Sequence, residues 1–334
     1  MTNTVSAGTI NLILSFGENK GLDRKILCTH AGIDMDLLKD PDSRIPTSKI
    51  QALWKGLTEL TDDESLPLKV GLEVNPFSLG VVVYMLMHCS TLKMALEKLC
   101  QYQDVACEGM ITSFHTNNDN CFLTVKINDE AIIYPRFTLE SELSVYLGII
   151  KAMTGRDFPV KEVHFTYNAP SDLEIYRAVL GTDNICFSSS FTGLVFNKSL
   201  LDVPVLNANP TLFPLFEKHV KEYYDKLKHS DKLSFKIKEE IVKGLKGEEP
   251  TLTAIARNIG MSPRSIQMKL KEEQATFRQL LEEVRKDIAI GHLKENTIST
   301  TDISFLLGFS ESSVFQRSFK KWTGKTPAAF RKVG

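Results

Sequence analysis

Apolar residues recur along this chain in two rhythms, and the changes of rhythm mark its organisation. Over the first hundred residues they are spaced three and four apart, the helical period. Asp23 caps a helix through Ile26, Leu27 and Ala31 that Gly32 ends. Pro46-Thr47-Ser48 opens another, with Ile50, Leu53, Trp54, Leu57 and Leu60 on one face. Asn75-Pro76 punctuates the chain, and the apolar run 81–87 after it reads as a buried helix or strand. Thr91 then caps a helix over 92–102. The aromatic and Met residues of this region fit core packing better than the lining of a pocket.

The period then shortens to two. Residues 109–116 and 121–128 are β-rich runs flanking Asn117-Asn118-Asp119-Asn120, the composition of a hairpin loop. A helix over 136–153 follows, with Leu139, Leu143, Tyr146, Leu147 and Ile150 in register and Gly155 at its end. Residues 162–167 alternate as a strand, 171–180 read as a short helix, and 186–187 and 194–196 as short strands. The pattern predicts an α+β region, a small sheet backed by helices. Pro204, Asn207, Pro210 and Pro214 mark a breaker-rich stretch, followed by a helix over 213–227 and a polar joint at 228–232. The expected division is a helix-rich α+β domain over 1–205, a linker over 206–230, and an all-α domain over 231–334.

Within the all-α domain one design occurs twice. Ile303, Leu306 and Leu307 form a short apolar stripe that stops at Gly308, and Val314, Phe315, Ser318, Phe319 and Trp322 form a second one. The opposite face of that second helix carries Glu311, Ser312, Ser313, Gln316, Arg317 and Lys320. Two helices about a tight Gly-containing turn, the second polar and basic outside, describe a helix-turn-helix over 301–322. Residues 251–273 repeat it. Ala256 lies four before Gly260, Gly260 supplies a left-handed turn, Ser262 caps the next helix and Pro263 occupies its first position. Ile266 and Leu270 point to the core, leaving Arg264, Ser265, Gln267, Met268, Lys269 and Lys271 on the rest of the surface. Between the units Phe277–Glu295 reads as one helix of 19 residues. It spans roughly 28 Å, close to the ~34 Å repeat of the major groove. Two units joined in this way predict binding to one side of a DNA duplex.

Charge points the same way. The whole chain carries 40 basic and 41 acidic residues, but residues 247–334 hold 14 basic against 10 acidic. From Glu311 onward there are 6 against 1, with Lys320, Lys321 and Lys325 clustered after the second recognition helix. A basic end on a near-neutral chain suits a polyanion. The six cysteines are scattered without a Cys-x-x-Cys pair, and the first residues have no signal-peptide pattern, so reduced thiols in a cytoplasmic protein are expected. The longest apolar run is too short to span a bilayer. No dinucleotide, Walker, His-Glu-x-x-His or nucleophile-elbow motif occurs, and the seven histidines show no metal-ligand spacing, so no enzyme, metal or cofactor is expected.

At these residues the C-terminal domain resembles the arabinose-regulator (AraC/XylS) family of bacterial transcription factors. The resemblance is carried by Ile303, Gly308-Phe309-Ser310, Phe315, Arg317, Phe319-Lys320-Lys321, Gly324, Thr326-Pro327 and Phe330-Arg331. Ala256, Gly260, Ser262, Arg264 and Arg285 extend it into the first unit. Upstream, Ile45-Pro46, Gly71-Leu72, Ser78-Leu79-Gly80 and the stretch from Gly155 to Val163-His164-Phe165 are similar to the ligand-binding domain of members such as ornithine-responsive regulators. It implies a sensor domain that is not the jelly-roll sugar-binding type. The partners implied are double-stranded DNA, a small-molecule effector, a second copy of the chain and, for an activator, RNA polymerase, with no membrane. DNA contacts are then expected from Arg264, Ser265, Gln267, Met268 and Lys271, and from Glu311, Ser312, Ser313, Gln316, Arg317, Lys320 and Lys321.

Three residues depart from the family pattern. Ser304 stands where Ala is usual, a minor change if its hydroxyl bonds back to the helix backbone. Gln274 replaces a usual Gly, so the first recognition helix is not expected to end in a left-handed cap. Met268 occupies a position often basic in relatives. For the effector, His115 and Arg136 are candidates to meet an acidic ligand, although an Arg136 neutralised by acids such as Glu140 is the plainer reading. A DNA-binding protein whose N-terminal domain only dimerises or recruits a protein is the alternative to effector control.

Overall fold

A computed structural model describes residues 2–229, 232–245, 247–295 and 298–331. The chain divides into two units between Tyr224 and Asp225, inside the Phe213–His229 helix, and each has its own apolar core. The expected polar joint at 228–232 therefore begins within a helix, while Ser230 and Asp231 lie outside the described residues.

The N-terminal unit begins with a short strand, Thr4–Ser6, paired antiparallel with Arg44–Pro46. The helices expected here form as their caps require. Asp23 accepts two backbone N–H bonds at the start of Arg24–Ala31, and Gly32 ends it in the left-handed region. Thr47–Thr61 and Leu92–Ala106 follow, the latter capped by Thr91. The open choice at Val81–Met87 resolves as helix, with Val81, Val82, Val83, Met85, Leu86 and Met87 buried. A run apolar on every side suits an element enclosed all round.

The sheet has five strands in the order Met110–Asn117, Asn120–Ile127, Thr192–Asn197, Val160–His164 and Ile185–Cys186. All neighbours are antiparallel except the last pair. The hairpin is tighter than expected: Asn117 pairs with Asn120, leaving Asn118 and Asp119 as its turn, and Asn118 takes φ 52°. Asn tolerates that left-handed conformation because its short side chain bonds locally. The strand expected at 162–167 is displaced to Val160–His164. Pro135–Thr154 packs on the sheet and on the turn Val70–Glu73. The approach is close, since the Gly71 N–H donates to Ser144 Oγ at 2.8 Å.

The C-terminal unit is all-helical among the described residues: Leu233–Gly244, Leu252–Ile259, Pro263–Glu272, Phe277–Glu295, Thr300–Leu306, Ser312–Thr323 and Pro327–Arg331. One core joins them, including Ile237, Ile255, Ile266, Leu281, Phe315 and Phe319. Complete burial of each aromatic ring contributes about 1.5–3 kcal/mol. The Glu273 carboxylate ties two of these helices together, accepting the backbone N–H of Leu233 at 2.8 Å and of Ser234 at 3.0 Å. Burial opposes its charge, yet these bonds hold its pKa below the ordinary value.

One expectation about this unit is corrected, and one condition set on it is not met. Gln274 does adopt the left-handed region, at φ 54°. Its N–H bonds to the Lys271 carbonyl and that of Ala275 to the Leu270 carbonyl, closing the first recognition helix in a Schellman pattern. The fold needs that conformation there, so it is imposed on a residue that resists it. Ser304 is 1% exposed, and its hydroxyl has no hydrogen-bond partner, so it does not bond back to its helix. Both positions hold unrelieved strain or desolvation. Gln274→Gly and Ser304→Ala are each expected to stabilise the unit, by about 1 kcal/mol. Urea unfolding followed at Trp322 measures this, and a lowered midpoint in either variant would contradict the corresponding account.

Candidate functional site

The two recognition helices are positioned by different local devices. In the first unit Thr251 caps Leu252–Ile259, which ends at Gly260 with φ 73°. Ser262 then caps Pro263–Glu272 through the Ser265 N–H at 3.1 Å, with proline at the first turn. In the second, Ser299 and Asp302 form a reciprocal capping box for Thr300–Leu306, and Gly308 turns the chain at φ 70°. Glu311 precedes Ser312–Thr323 without capping it, its carboxylate accepting the Ser313 hydroxyl at 3.0 Å. Gly324 ends that helix in the left-handed region. The connecting helix is Phe277–Glu295, as the sequence pattern predicts.

The stripe of the second helix is graded. Phe315 and Phe319 are fully buried at its centre, and Val314, Ser318 and Trp322 are half-buried at its edges. What remains faces outward. Arg264, Ser265, Gln267, Met268 and Lys271 are exposed on the first recognition helix. Around the second, Glu311, Ser313, Gln316, Arg317, Lys320 and Lys321 are exposed and Ser312 is half-buried. Not all of these groups are equally free, because Ser265 Oγ lies 2.8 Å from Ser262 Oγ.

Among the described residues Arg264, Lys269, Lys271, Arg317, Lys320, Lys321 and Lys325 form no salt bridge. Other cations of the chain do face carboxylates, among them Lys20, Arg44, Lys69, Lys98 and Arg136 in the N-terminal unit and Lys238, Lys243 and Arg278 in the C-terminal one. Exposed cations without acidic neighbours retain their full attraction for phosphate.

The turn of the second unit is fastened to the connecting helix by Arg285, 6% exposed. Its Nε donates to the Leu307 carbonyl at 2.8 Å and Nη2 to that of Gly308 at 3.1 Å. Its guanidinium also lies over the Phe309 ring, 4.3 Å from the centroid.

The N-terminal unit contains a partly open cavity of about 80 Å³. Its walls include Ile13, Ile50, Trp54, Val83 and Ile149, and its polar lining includes Thr47, Gln51, Glu142 and Tyr146. Burial pushes the Glu142 carboxyl above its ordinary pKa, against the effect of its hydrogen bond with Tyr146. The Tyr146 hydroxyl is also 2.6 Å from Thr112 Oγ1. Residues placed by the sequence in the core thus line this space.

Neither His115 nor Arg136 is part of the lining. His115 is exposed on its strand and stacks on Phe122, with ring centroids 4.9 Å apart. Arg136 donates through Nε to Glu140 at 2.8 Å and through Nη1 to Glu64 at 3.2 Å. Burial opposes the Arg136 charge, but Glu140 outweighs it and raises the pKa. Glu140 is fully buried and accepts the hydroxyls of Tyr167 and Tyr176 as well. Sequence reasoning missed Glu142. The available signal was its place on the helix, three residues after Leu139 and four before Tyr146 of the apolar stripe.

Residues 21–205 match the family described as the arabinose-binding domain of AraC transcription regulators, N-terminal, and residues 255–333 match a helix-turn-helix domain. The ornithine utilization regulator of Pseudomonas aeruginosa is 24% identical over 315 residues, which cover 94% of this chain and 92% of that protein. The transcriptional activator AggR of Escherichia coli is 36% identical over 97 residues, 29% of this chain and 36% of its own. The crystal structure of the regulator CdpR from Pseudomonas aeruginosa aligns over 85% of this chain and 91% of its own at 16% identity, with a TM-score of 0.46. With the family's N-terminal domain matched across more than half the chain and the helix-turn-helix domain after it, this protein belongs to the AraC family of DNA-binding transcription regulators.

Proposed function

We propose that this regulator binds a two-part operator as a pair of copies and that a small molecule bound in the N-terminal domain sets its DNA affinity. The observation that carries the DNA half is the pair of exposed recognition helices whose cations lack acidic partners. In this reading residues 1–205 sense and dimerise, 206–230 link, and 231–334 bind DNA. Its place is the cytoplasm, its work is regulation rather than catalysis, and RNA polymerase is the further partner.

Arg264, Gln267 and Lys271 on the first helix and Gln316 and Arg317 on the second are assigned to base edges and flanking phosphates, together with Ser265, Glu311, Ser312 and Ser313 near the turns. Met268, 60% exposed, suits apolar contact with a thymine methyl rather than a phosphate. Arg264→Ala and Gln316→Ala are each expected to lose about 1–3 kcal/mol of binding and to relax specificity at one position. Neutralising Lys320, Lys321 or Lys325 should instead weaken operator and random DNA alike and lower the salt slope by about one. Fluorescence anisotropy on operator and scrambled duplexes separates the two groups. Unchanged affinity in both alanine variants would remove the base-reading assignment.

The function as a whole is tested by footprinting upstream of the protein's own and neighbouring genes, alongside sedimentation of the complex. Two similar protected half-sites and two copies per site are expected. Pairing two modest binders raises affinity through effective concentration, and an effector commonly shifts it by about 1–3 kcal/mol. A monomer protecting one half-site would overturn the paired reading. If no compound in a panel of amino acids, fatty acids, amines, alcohols and other metabolites raises the melting temperature, the N-terminal domain is a dimerisation or recruitment module instead.

A further inference from the structure

Apart from Cys107 and Tyr146, the lining of the N-terminal cavity contains one ionisable side chain, Glu142, and no Lys, Arg or His. The other polar groups there are neutral, and one is unanswered. Thr47 is 1% exposed and lines the cavity, and its hydroxyl has no hydrogen-bond partner in the structure. A buried hydroxyl without a partner carries an uncompensated desolvation cost. The rest of the wall is apolar, with Trp54, 1% exposed, among its residues.

These groups select against a negative head. A carboxylate or phosphate entering the cavity would lose its hydration, find no cation, and lie near a second carboxyl. A donating head meets the opposite situation, because the Glu142 oxygens and the Thr47 hydroxyl can all accept. The volume limits the rest of the molecule. An engineered apolar cavity of about 150 Å³ admits benzene, so the 80 Å³ present here suits a body of roughly four heavy atoms.

We propose that this cavity is the effector site and that it takes a small molecule with an apolar body and one hydrogen-bond-donating head, received by Glu142. The proposal rests on the reading of the chain as effector-controlled and names the chemical class of the effector. Glu142 binds and selects the head, the apolar walls exclude water around the body, and the Thr47 hydroxyl gains the partner it lacks. An effector larger than the cavity would keep the same head and need the walls to part.

The test uses the full chain and three probes of three carbons each: n-propylamine, 1-propanol and sodium propionate. Ligands of this size bind no tighter than on the order of 10⁻⁵ M, so each is added at about 10 mM. Melting temperature is one readout. The other is Trp54 emission in a Trp322→Phe variant, where Trp54 is the sole tryptophan. Propylamine and propanol are expected to raise the melting temperature and shift the emission, and propionate to do neither. Glu142→Gln is nearly isosteric and should fold, while at least halving the propylamine response. An equal or larger response to propionate, no emission change with any probe, or an undiminished propylamine response in Glu142→Gln would overturn the proposal. DNA binding is measured separately without probes. Operator binding with a silent cavity rejects this assignment alone, and a responsive cavity without operator binding rejects the DNA reading alone.

Discussion

Gly308→Ala is expected to abolish specific DNA binding, whereas Gly260→Ala should only weaken it. The two glycines occupy equivalent turns with nearly the same backbone angle, φ 70° and φ 73°. Both substitutions impose the left-handed penalty, about 1–2 kcal/mol for a residue with a Cβ. They differ in what the Cβ would meet. At Gly260 nothing lies within 4 Å, while at Gly308 the carbonyl oxygen of Glu248 would be 2.5 Å away and its carbon 2.6 Å. Those are backbone atoms, so no side chain can rotate aside. The segment itself must move, which adds about 1–3 kcal/mol. Against a typical stability of about 5–15 kcal/mol for a whole domain, the combined cost at Gly308 displaces the second recognition helix or unfolds the unit. Urea unfolding at Trp322 and anisotropy on operator DNA measure both effects. Equal midpoints for the two variants would show that the close approach to Glu248 has no energetic weight.

This contrast also marks where sequence ends and tertiary structure begins. The left-handed turns at Gly32, Gly155, Gly260 and Gly308, and the caps at Asp23, Thr91 and Ser262, follow from rules that operate within a few residues. The connecting helix Phe277–Glu295 was legible for the same reason. That Gly308 must be small as well as flexible was not, because Glu248 lies sixty positions earlier in the chain. Gln274 shows the reverse failure. Local preference argues against its left-handed angle, and the hydrogen bonds to Lys271 and Leu270 override it. In the sheet, Thr192–Asn197 lies between Asn120–Ile127 and Val160–His164, an order that alternation along the chain does not encode. The exposed residues of the two recognition helices were readable because such a helix exposes what its apolar stripe leaves over. The cavity was not, since its walls come from helices far apart in sequence and each wall residue alone resembles core.

Arg285→Ala is expected to destabilise the C-terminal unit by about 3–5 kcal/mol, more than any surface change to the recognition helices. The magnitude follows from what the side chain holds. Its two hydrogen bonds satisfy the Leu307 and Gly308 carbonyls at the turn, where a helix end leaves acceptors without partners. Its stacking on Phe309 seals the group against water. Burial lowers the Arg285 pKa, and Glu249 Oε2 at 3.7 Å partly restores it. Glu249 is largely exposed and rehydrates when the arginine is removed, so the main cost comes from the carbonyls and the vacated space. Arg285→Lys tests whether geometry or charge matters. A lysine keeps the charge but lacks the planar fork and the flat face, so it should recover less than half of the loss. Because Arg285 fastens the second unit to the connecting helix, the functional loss should be one-sided. Under conditions where Arg285→Lys remains folded, footprinting should show weakened protection of the operator segment assigned above to Arg317 and Gln316, while the segment assigned to Arg264 stays protected. Uniform weakening across the half-site would mean that Arg285 supports the whole domain equally. Full recovery by lysine would mean that a positive charge alone is enough at this turn.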